Sequence, residues 1–286
     1  MNTKVVVLGA SGMLGHKMLQ ILSDKFEVFG TLRKRDIPEI LYPYCIYVNV
    51  NAMDFSTISN VLSDINPDII VNCIGIIKQL PESNDWHISH TINSELPHKL
   101  AIYAHLHGMR LIHFSTDCVF DGKIGMYGET FIPNATDIYG RTKFAGEVVD
   151  SLTLRTSIIG REIDSNHGLL EWFLSKRGMK VQGYIKSIFS GVTTNELSYL
   201  VSDIILNDRD LKGLYNVASI PINKYDLLTL VNKHLVNKVD IDPVNGEDIN
   251  RSMSGLKLRL TTGYDPPSWS NMIDEMMKKD KTDYGR

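Results

Sequence analysis

Tyr139 and Lys143 stand four residues apart in Tyr139-Gly140-Arg141-Thr142-Lys143, the spacing Y-x-x-x-K. On a helix that spacing puts both side chains on one face, one turn apart. A free phenol titrates near ~10, and a neighbouring cation favours the phenolate and brings the proton within reach of neutral pH. Upstream, Ser115-Thr116-Asp117 follows directly on an apolar run. A hydroxyl from Thr116 could hold a substrate oxygen against Tyr139. The chemistry would be general acid catalysis on a carbonyl, or general base catalysis on an alcohol. A single Y-x-x-x-K also fits an ordinary amphipathic helix, so the elements that position these residues decide its meaning.

The first such element is at the start of the chain. Lys4 to Leu8 reads as a buried strand, apolar without alternation, and Gly9-Ala10-Ser11-Gly12-Met13-Leu14-Gly15 follows at once. A helical pattern comes next, with Met18, Leu19, Ile21 and Leu22 apolar. Strand, glycine turn and helix together form a dinucleotide cradle. One glycine makes the turn, one admits the pyrophosphate onto the helix N-terminus, and one lets the helix lie close on the sheet. Gly9, Ser11, Gly12, Met13, Leu14 and Gly15 are the expected contacts.

A second strand runs from Phe26 to Leu32. An acidic residue at its end would read the ribose 2′-hydroxyl of NAD, but the chain has Thr31-Leu32-Arg33-Lys34-Arg35. A cationic cluster suits a 2′-phosphate, so NADP is the expected cofactor, with NADH possible, and Arg33 the expected phosphate ligand. Asp54 is placed to cap a helix over 56–62 and to accept from an adenine amino group, with Phe55 beside it. Asp68 to Ile74 is another buried strand. The strand ends at Gly75, small residues at such an end let a dinucleotide pass close, and Cys73, Ile74 and Gly75 are expected cofactor contacts. Thr91-Ile92-Asn93 opens a helix to His107, with Asn93 buried and bridging. Arg110 to Ser115 is the next strand, and 139–150 the next helix.

The alternation of strands and helices with short connections predicts an α/β fold: a Rossmann-like doubly wound parallel sheet with a smaller C-terminal α/β substrate domain. The expected division is 1–157 plus 191–217 for the NADP-binding domain and 158–190 plus 218–286 for the substrate domain. Ligands in such sheets lie at the carboxyl ends of the strands, where the glycine turn and Ser115-Thr116-Asp117 both fall. Ser115 is expected on the cofactor side.

Composition removes other classes. The chain has 286 residues, 43% hydrophobic and 22% charged, with a formal net charge of -3. No basic block points to nucleic acid or an anionic membrane. The three cysteines are few and far apart, which fits a reducing compartment. No Cys/His cluster has metal-site spacing. The chain enters its first strand within a few residues of Met1, which leaves no room for a signal peptide, and no apolar run is long enough to span a bilayer. A cytoplasmic location is expected.

Gly9-x-x-Gly12-x-x-Gly15, Asp54-Phe55-Ser56, Pro67-Asp68-x-Ile70-Val71-Asn72, Ser115-Thr116-Asp117-x-Val119-Phe120-Asp121-Gly122, Tyr139-Gly140-x-x-Lys143-x-Ala145-Gly146-Glu147 and Leu154-Arg155-Thr156-Ser157 occur in this order. The set resembles an extended short-chain dehydrogenase/reductase, and within that superfamily the dTDP-4-dehydrorhamnose reductases, closely to about Ser157 and patchily beyond. The resemblance implies that Tyr139 protonates the C4 oxygen of a sugar. It implies that Lys143 binds the nicotinamide ribose and lowers the Tyr139 pKa, that Thr116 bonds the same oxygen, and that the nicotinamide gives hydride to C4. Asp117 and Cys118 would line the sugar pocket. Family members commonly carry Tyr at the position of Cys118 and Trp at that of Ile158. Both departures open space beside the hexose and point to a bulkier sugar, such as a UDP-linked 2-acetamido-6-deoxy-4-ketohexose. Some relatives hold magnesium at a dimer interface through Glu-rich sites. Here His16-Lys17 follow the glycine turn, and no metal is expected. A homodimer is possible.

The related dehydratases need a Thr-Asp-Glu run, and Cys118 stands where the Glu would be, so proton removal at C5 lacks its base. The 4-epimerases usually carry Ser-Ser or Ser-Ala in place of Thr-Asp. In the second half, Arg161 and His167 precede an apolar helix from Gly168 to Phe173 and are candidates to face the sugar or its phosphates. Arg251, with Lys257 and Arg259, is a candidate for the diphosphate. The tail from Lys278 is polar and expected to fray. Two other readings stay open: a non-catalytic dinucleotide-binding subunit, as in the regulatory subunit of methionine adenosyltransferase, and a sugar-nucleotide epimerase.

Overall fold

The computed structural model describes residues 3–284, with side chains as far as Lys279. Two compact units are formed. The first comprises Met1–Thr116, Thr136–Arg155 and Ser198–Tyr215; the second comprises Asp117–Ala135, Thr156–Leu197 and Asn216–Arg286.

The first unit is built on a seven-stranded sheet. Its strands are β1 (Lys4–Leu8), β2 (Glu27–Thr31), β3 (Cys45–Tyr47), β4 (Ile69–Asn72), β5 (Arg110–Thr116), β6 (Leu152–Thr156) and β7 (Gly213–Asn216). Their order is β7-β6-β5-β4-β1-β2-β3. β1 pairs in parallel with β2 and β4, β2 with β3, and β4 with β5. The order reverses direction between β1 and β4, which is the switch point where ligands of doubly wound sheets bind. The register brings the key ends level: Leu8 faces Asn72, and Asn72 faces His113. The next residues along each strand are therefore Gly9, Cys73 and Phe114, at one end of the sheet.

The helices that flank this sheet include α1 (Met13–Leu22), α2 (Phe55–Ile65), α3 (Leu96–Leu106) and α4 (Ile138–Ala145). Val5, Val6, Val7 and Leu8 are wholly buried, as the unbroken apolar run predicted. On one side Val6, Leu8 and Ile70 pack with Ile58, Leu62, Leu96 and Leu100, so α2 and α3 share one core. α2 starts at the expected cap: the Asp54 carboxylate accepts from the Ser56 N–H at 3.0 Å.

One expectation needs correction. The helix after β5 is not 139–150 but ends at Ala145, because Gly146 lies against a neighbouring backbone: a Cβ there would come within 1.9 Å of the Asn93 oxygen. The last helix runs Trp269–Tyr284, with Met272, Ile273, Met276 and Met277 buried along its first part, and the final two residues of the tail expected to fray lie outside the described residues.

The second unit holds short strand pairs. Val192–Thr193 runs parallel to Ile158–Ile159, and Asp240–Val244 parallel to Lys180–Tyr184. Ser187–Phe189 lies between Ile222–Asn223 and Ile249–Asn250. No helix among the described residues is long and apolar enough to cross a membrane.

Candidate active site

The glycine turn is set by contacts only glycine permits. Gly9 has φ +80°, and a Cβ there would sit 3.0 Å from Ile74 Cγ1 and 3.3 Å from the Cys73 carbonyl carbon, so the turn abuts the end of β4. At Gly15 a Cβ would come 2.1 Å from the Gly9 oxygen, which forces the first turn of α1 flat onto the loop. Gly12 is the N-cap of α1; no side chain caps it and no acidic residue occupies the first turn. The N-terminal amides of a ten-residue helix are thus left to an outside acceptor, with Ser11 and Gly12 exposed beside them. Met13 and Leu14 open that helix. These features fit the pyrophosphate of a dinucleotide.

At the end of β2 the usual acidic position is taken by Thr31, only 1% exposed, whose hydroxyl accepts from the Gly9 N–H at 3.2 Å. It fastens the turn to the strand and is not available to a ribose. Arg33, two residues on, is exposed. Asp54 is exposed at the start of α2, and Phe55 packs edge-on against Tyr103 with centroids 6.1 Å apart.

At the end of β4 the chain is held in two ways. The Asn72 side chain accepts from the Ile74 N–H at 3.1 Å and donates to His113 Nδ1 at 3.1 Å. Asn93 is 1% exposed and bridges as expected: its Oδ1 accepts from the Ile76 N–H at 2.9 Å, and its amide nitrogen donates to the Ile76 oxygen at 3.3 Å and to Thr142 Oγ1 at 3.4 Å. Asn93 lies in a π turn, Thr91–Glu95, ahead of α3. Gly75 is exposed. A Cβ on Gly75 would lie 3.4 Å from Asn93 Oδ1 and 3.8 Å from Lys143 Nζ. Cys73 is half-buried, and the loss of surrounding water pushes its thiol up, out of the range of a nucleophile.

The Y-x-x-x-K pair lies on α4, whose N-cap Asp137 accepts from the Gly140 N–H at 2.8 Å and pairs with Lys78 at 3.0 Å. Tyr139 is half-buried, at the water boundary rather than in the interior. Lys143 is 7% exposed, and its Nζ donates to the Phe114 carbonyl at 2.7 Å. Burial pushes the Lys143 ammonium down to about 8, while the Glu147 carboxylate acts in the opposite sense. Thr116, 7% exposed, ends β5 two residues beyond Phe114. Ser115 donates to Glu147 Oε1 at 2.6 Å. Lys143 therefore stands by the exposed Gly75, next to the turn that Gly9 makes against Ile74. A cation, a phenol one turn away and a hydroxyl on the adjoining strand can serve a carbonyl beside a dinucleotide.

In the second unit, Asp117 is buried and Cys118 half-buried in a 3-10 turn, Asp117–Val119. Arg161 is buried and paired with Glu171. Both border an open cleft of about 530 Å³ that also takes in Asp164, Asn166 and Arg177. His167 is exposed. Arg251 spends its Nε on the Phe120 carbonyl at 2.9 Å, and Arg259 pairs with Asp265 at 3.3 Å. Lys257 is exposed.

Sequence reasoning missed two features of the first unit. One is the Asn72–His113 contact, which depends on cross-strand register. The other is a buried ion pair, Arg155 with Glu147, in which Nε and Nη2 reach the two carboxylate oxygens at 2.8 and 2.6 Å. A glycine before Glu147 was the available signal, since it marks a helix stop.

Residues 3–163 match the family model described as the RmlD substrate binding domain. The bovine methionine adenosyltransferase 2 subunit beta is 29% identical over 147 residues, 51% of this chain and 42% of that protein, so the match spans less than half of that relative's length. The dTDP-4-dehydrorhamnose reductase of Aggregatibacter actinomycetemcomitans is 24% identical over 94% of this chain and 97% of its own. The crystal structure of a dTDP-4-dehydrorhamnose reductase from Bacillus anthracis, in complex with NADP, superposes with a TM-score of 0.80 at 21% identity, covering 98% of this chain and 100% of the other.

Proposed function

The chain belongs to the RmlD substrate-binding-domain family, and from that premise we propose that it reduces the C4 keto group of a nucleotide-linked 6-deoxyhexose with NADPH. The observation that carries this reading is the place of Lys143: tied to the Phe114 carbonyl, beside Gly75, one helical turn from Tyr139. A cofactor would be held by the glycine turn and the open N-terminus of α1, by Asp54 and Phe55 around its adenine, and by Cys73 to Gly75 under its ribose. When bound it supplies the hydride.

The protein's own part is proton delivery and orientation. Thr116 and Tyr139 hold the keto oxygen between two hydroxyls and fix the carbonyl plane. Tyr139 gives its proton to that oxygen as negative charge develops there. Lys143 keeps a positive charge near the phenol and binds the nicotinamide ribose. Asp117 and Cys118 border the sugar. The small side chain of Cys118 favours a substituted hexose, such as a 2-acetamido sugar on UDP, over a plain one on dTDP.

The test is loss of reduced-nicotinamide absorbance when the purified protein is mixed with NADPH and a 4-keto-6-deoxy sugar nucleotide. Four substrates are needed: dTDP- and UDP-linked, simple and acetamido. Turnover with at least one is expected; turnover with none overturns the reading. Arg33 should decide between cofactors. Arg33→Ala should weaken NADPH binding by roughly tenfold or more and leave NADH binding nearly unchanged, because a guanidinium–phosphate pair is lost. Equal losses for both cofactors would remove Arg33 from the 2′-phosphate.

A second reading is a non-catalytic subunit that binds the dinucleotide alone, favoured by the match of half the chain to subunit beta of methionine adenosyltransferase. It predicts NADPH binding with no turnover on any of the four sugars. It also has no use for the proton-transfer set of Thr116, Tyr139 and Lys143.

A further inference from the structure

Directly after α4 the chain turns inward. Gly146 cannot carry a side chain against the Asn93 backbone, so the helix stops and Glu147 leaves the exposed face that a continued helix would have given it. The Thr153 hydroxyl closes the reversal, donating to the Val148 oxygen at 2.8 Å and accepting from the Val148 N–H at 3.2 Å. The result is a carboxylate beneath the end of β5, with its side chain 5% exposed.

The contacts of that carboxylate serve strands that end at the site. Oε1 accepts from Ser115 Oγ at 2.6 Å and from Arg155 Nε at 2.8 Å; Oε2 accepts from Arg155 Nη2 at 2.6 Å. Arg155 is 1% exposed on β6. Ser115 immediately precedes Thr116 and follows Phe114, whose carbonyl holds Lys143. One carboxylate thus fixes the strand segment that carries both the substrate hydroxyl and the anchor of the lysine. It is also the anion whose field on Lys143 works against the larger effect of burying that ammonium.

We propose that Glu147 is a positioning residue with an electrostatic duty: it locks Ser115, and with it Thr116 and the Phe114 carbonyl, and it keeps Lys143 cationic in a buried site. The proposal rests on the reading of Lys143 as a cofactor-binding cation, and deepens it. The groups around Lys143 are few. On its own helix stands Tyr139. On β5, His113 is buried and held neutral, with its pKa well below the usual imidazole value through burial first and then the fields of Lys143 and His98. Its Nδ1 accepts from Asn72, which leaves the proton on Nε2. Asn93 and Thr142 are uncharged. Arg155 is committed to Glu147 through both carboxylate oxygens. Glu147 is the carboxylate whose field opposes burial at the lysine, tied through Ser115 to the strand that anchors it.

The experiment follows NADPH binding by nucleotide fluorescence from pH 6.5 to 10, which needs no sugar substrate. In the wild type, binding should weaken as Lys143 loses its proton, and a Lys143→Met variant should lack that step. Glu147→Gln should move the step to lower pH by about one unit, the scale on which one nearby charge acts. Glu147→Asp should leave it near its original place. If an unpaired Arg155 prevents Glu147→Gln from folding, the double variant Glu147→Gln/Arg155→Met removes both charges together, and the step should fall by less than about one unit, since a cation leaves with the anion. An unmoved step in a folded Gln variant, or a loss equal at every pH, overturns the proposal and leaves Glu147 a packing residue. A wild type that binds NADPH with no such step, or not at all, fails the reading of Lys143 instead, so the two failures are told apart.

Discussion

Tyr139→Phe should bind NADPH as the parent does and reduce sugar about 10²–10⁴-fold more slowly, the usual share of a positioned proton donor. The substitution removes one oxygen atom from a half-buried ring on α4. It leaves the N-cap at Asp137, the Lys143–Phe114 contact and the glycine turn intact. The glycine turn and the Lys143 anchor, which would grip the cofactor, do not use the phenol oxygen, so the loss should fall on kcat. A retained kcat would mean that the proton comes from elsewhere, from Thr116 or from water. A parallel loss of NADPH affinity would mean that the phenol belongs to the cofactor site first. The alkaline side of the parent's rate profile should fall off as Lys143 deprotonates near 8, the value to which its burial brings it. The sign follows from the role of the cation. The lysine serves while charged, and rising pH takes the charge away.

The sequence made the first half of this site legible because its signals are local. An unbroken apolar strand, three glycines at fixed spacing and an apolar helix face lie within Lys4 to Leu22, and each has a direct structural consequence. Asp54 shows itself by standing ahead of a helical pattern, and it caps that helix. The alternation of apolar runs with helical segments implied the sheet, and parallel pairing at β1, β2 and β4 follows from the helical crossovers between strands. What escaped reading depends on contacts between elements. Glu147 and Arg155 are eight residues apart, yet they meet only because Gly146 ends a helix that the spacing alone would extend to residue 150. Asn72 and His113 meet through the register of β4 and β5. Arg161 and Arg251 read as candidates for the sugar or its phosphates by residue type, and the fold adds partners that the sequence did not show, a carboxylate for one and a backbone carbonyl for the other. Residue type states what a side chain could bind; packing decides what it has already bound.

Gly15→Ala should be the most damaging single-methyl change in the cofactor region. The added carbon would sit 2.1 Å from the Gly9 oxygen, 2.8 Å from the Gly9 carbonyl carbon and 3.0 Å from Ala10 Cα. All three are backbone atoms, so no side chain can swing aside. α1 must lift from the turn, and its open N-terminal amides move away from the place where Gly12 and Gly9 would present them. Alanine gains up to ~1 kcal/mol of helix propensity over glycine. Overpacking of this kind costs about 1–3 kcal/mol and sometimes more, so the clash wins. The net loss should lower Tm by a few degrees, at about 2–4 °C per kcal/mol for a chain of this order of size. NADPH affinity should fall much further than stability, by roughly a hundredfold or more, since about 2.8 kcal/mol of lost pyrophosphate contact is enough. Gly108→Ala is the matched control. Gly108 has a positive φ, +66°, and nothing lies within 4 Å of its added Cβ. It should cost a similar amount of stability through backbone strain of about 1 kcal/mol or more, and leave NADPH binding as it was. Calorimetry and a binding titration on the two variants separate the effects. If Gly15→Ala binds NADPH as tightly as Gly108→Ala does, the turn at Gly9 to Gly15 is a structural corner and the dinucleotide lies elsewhere.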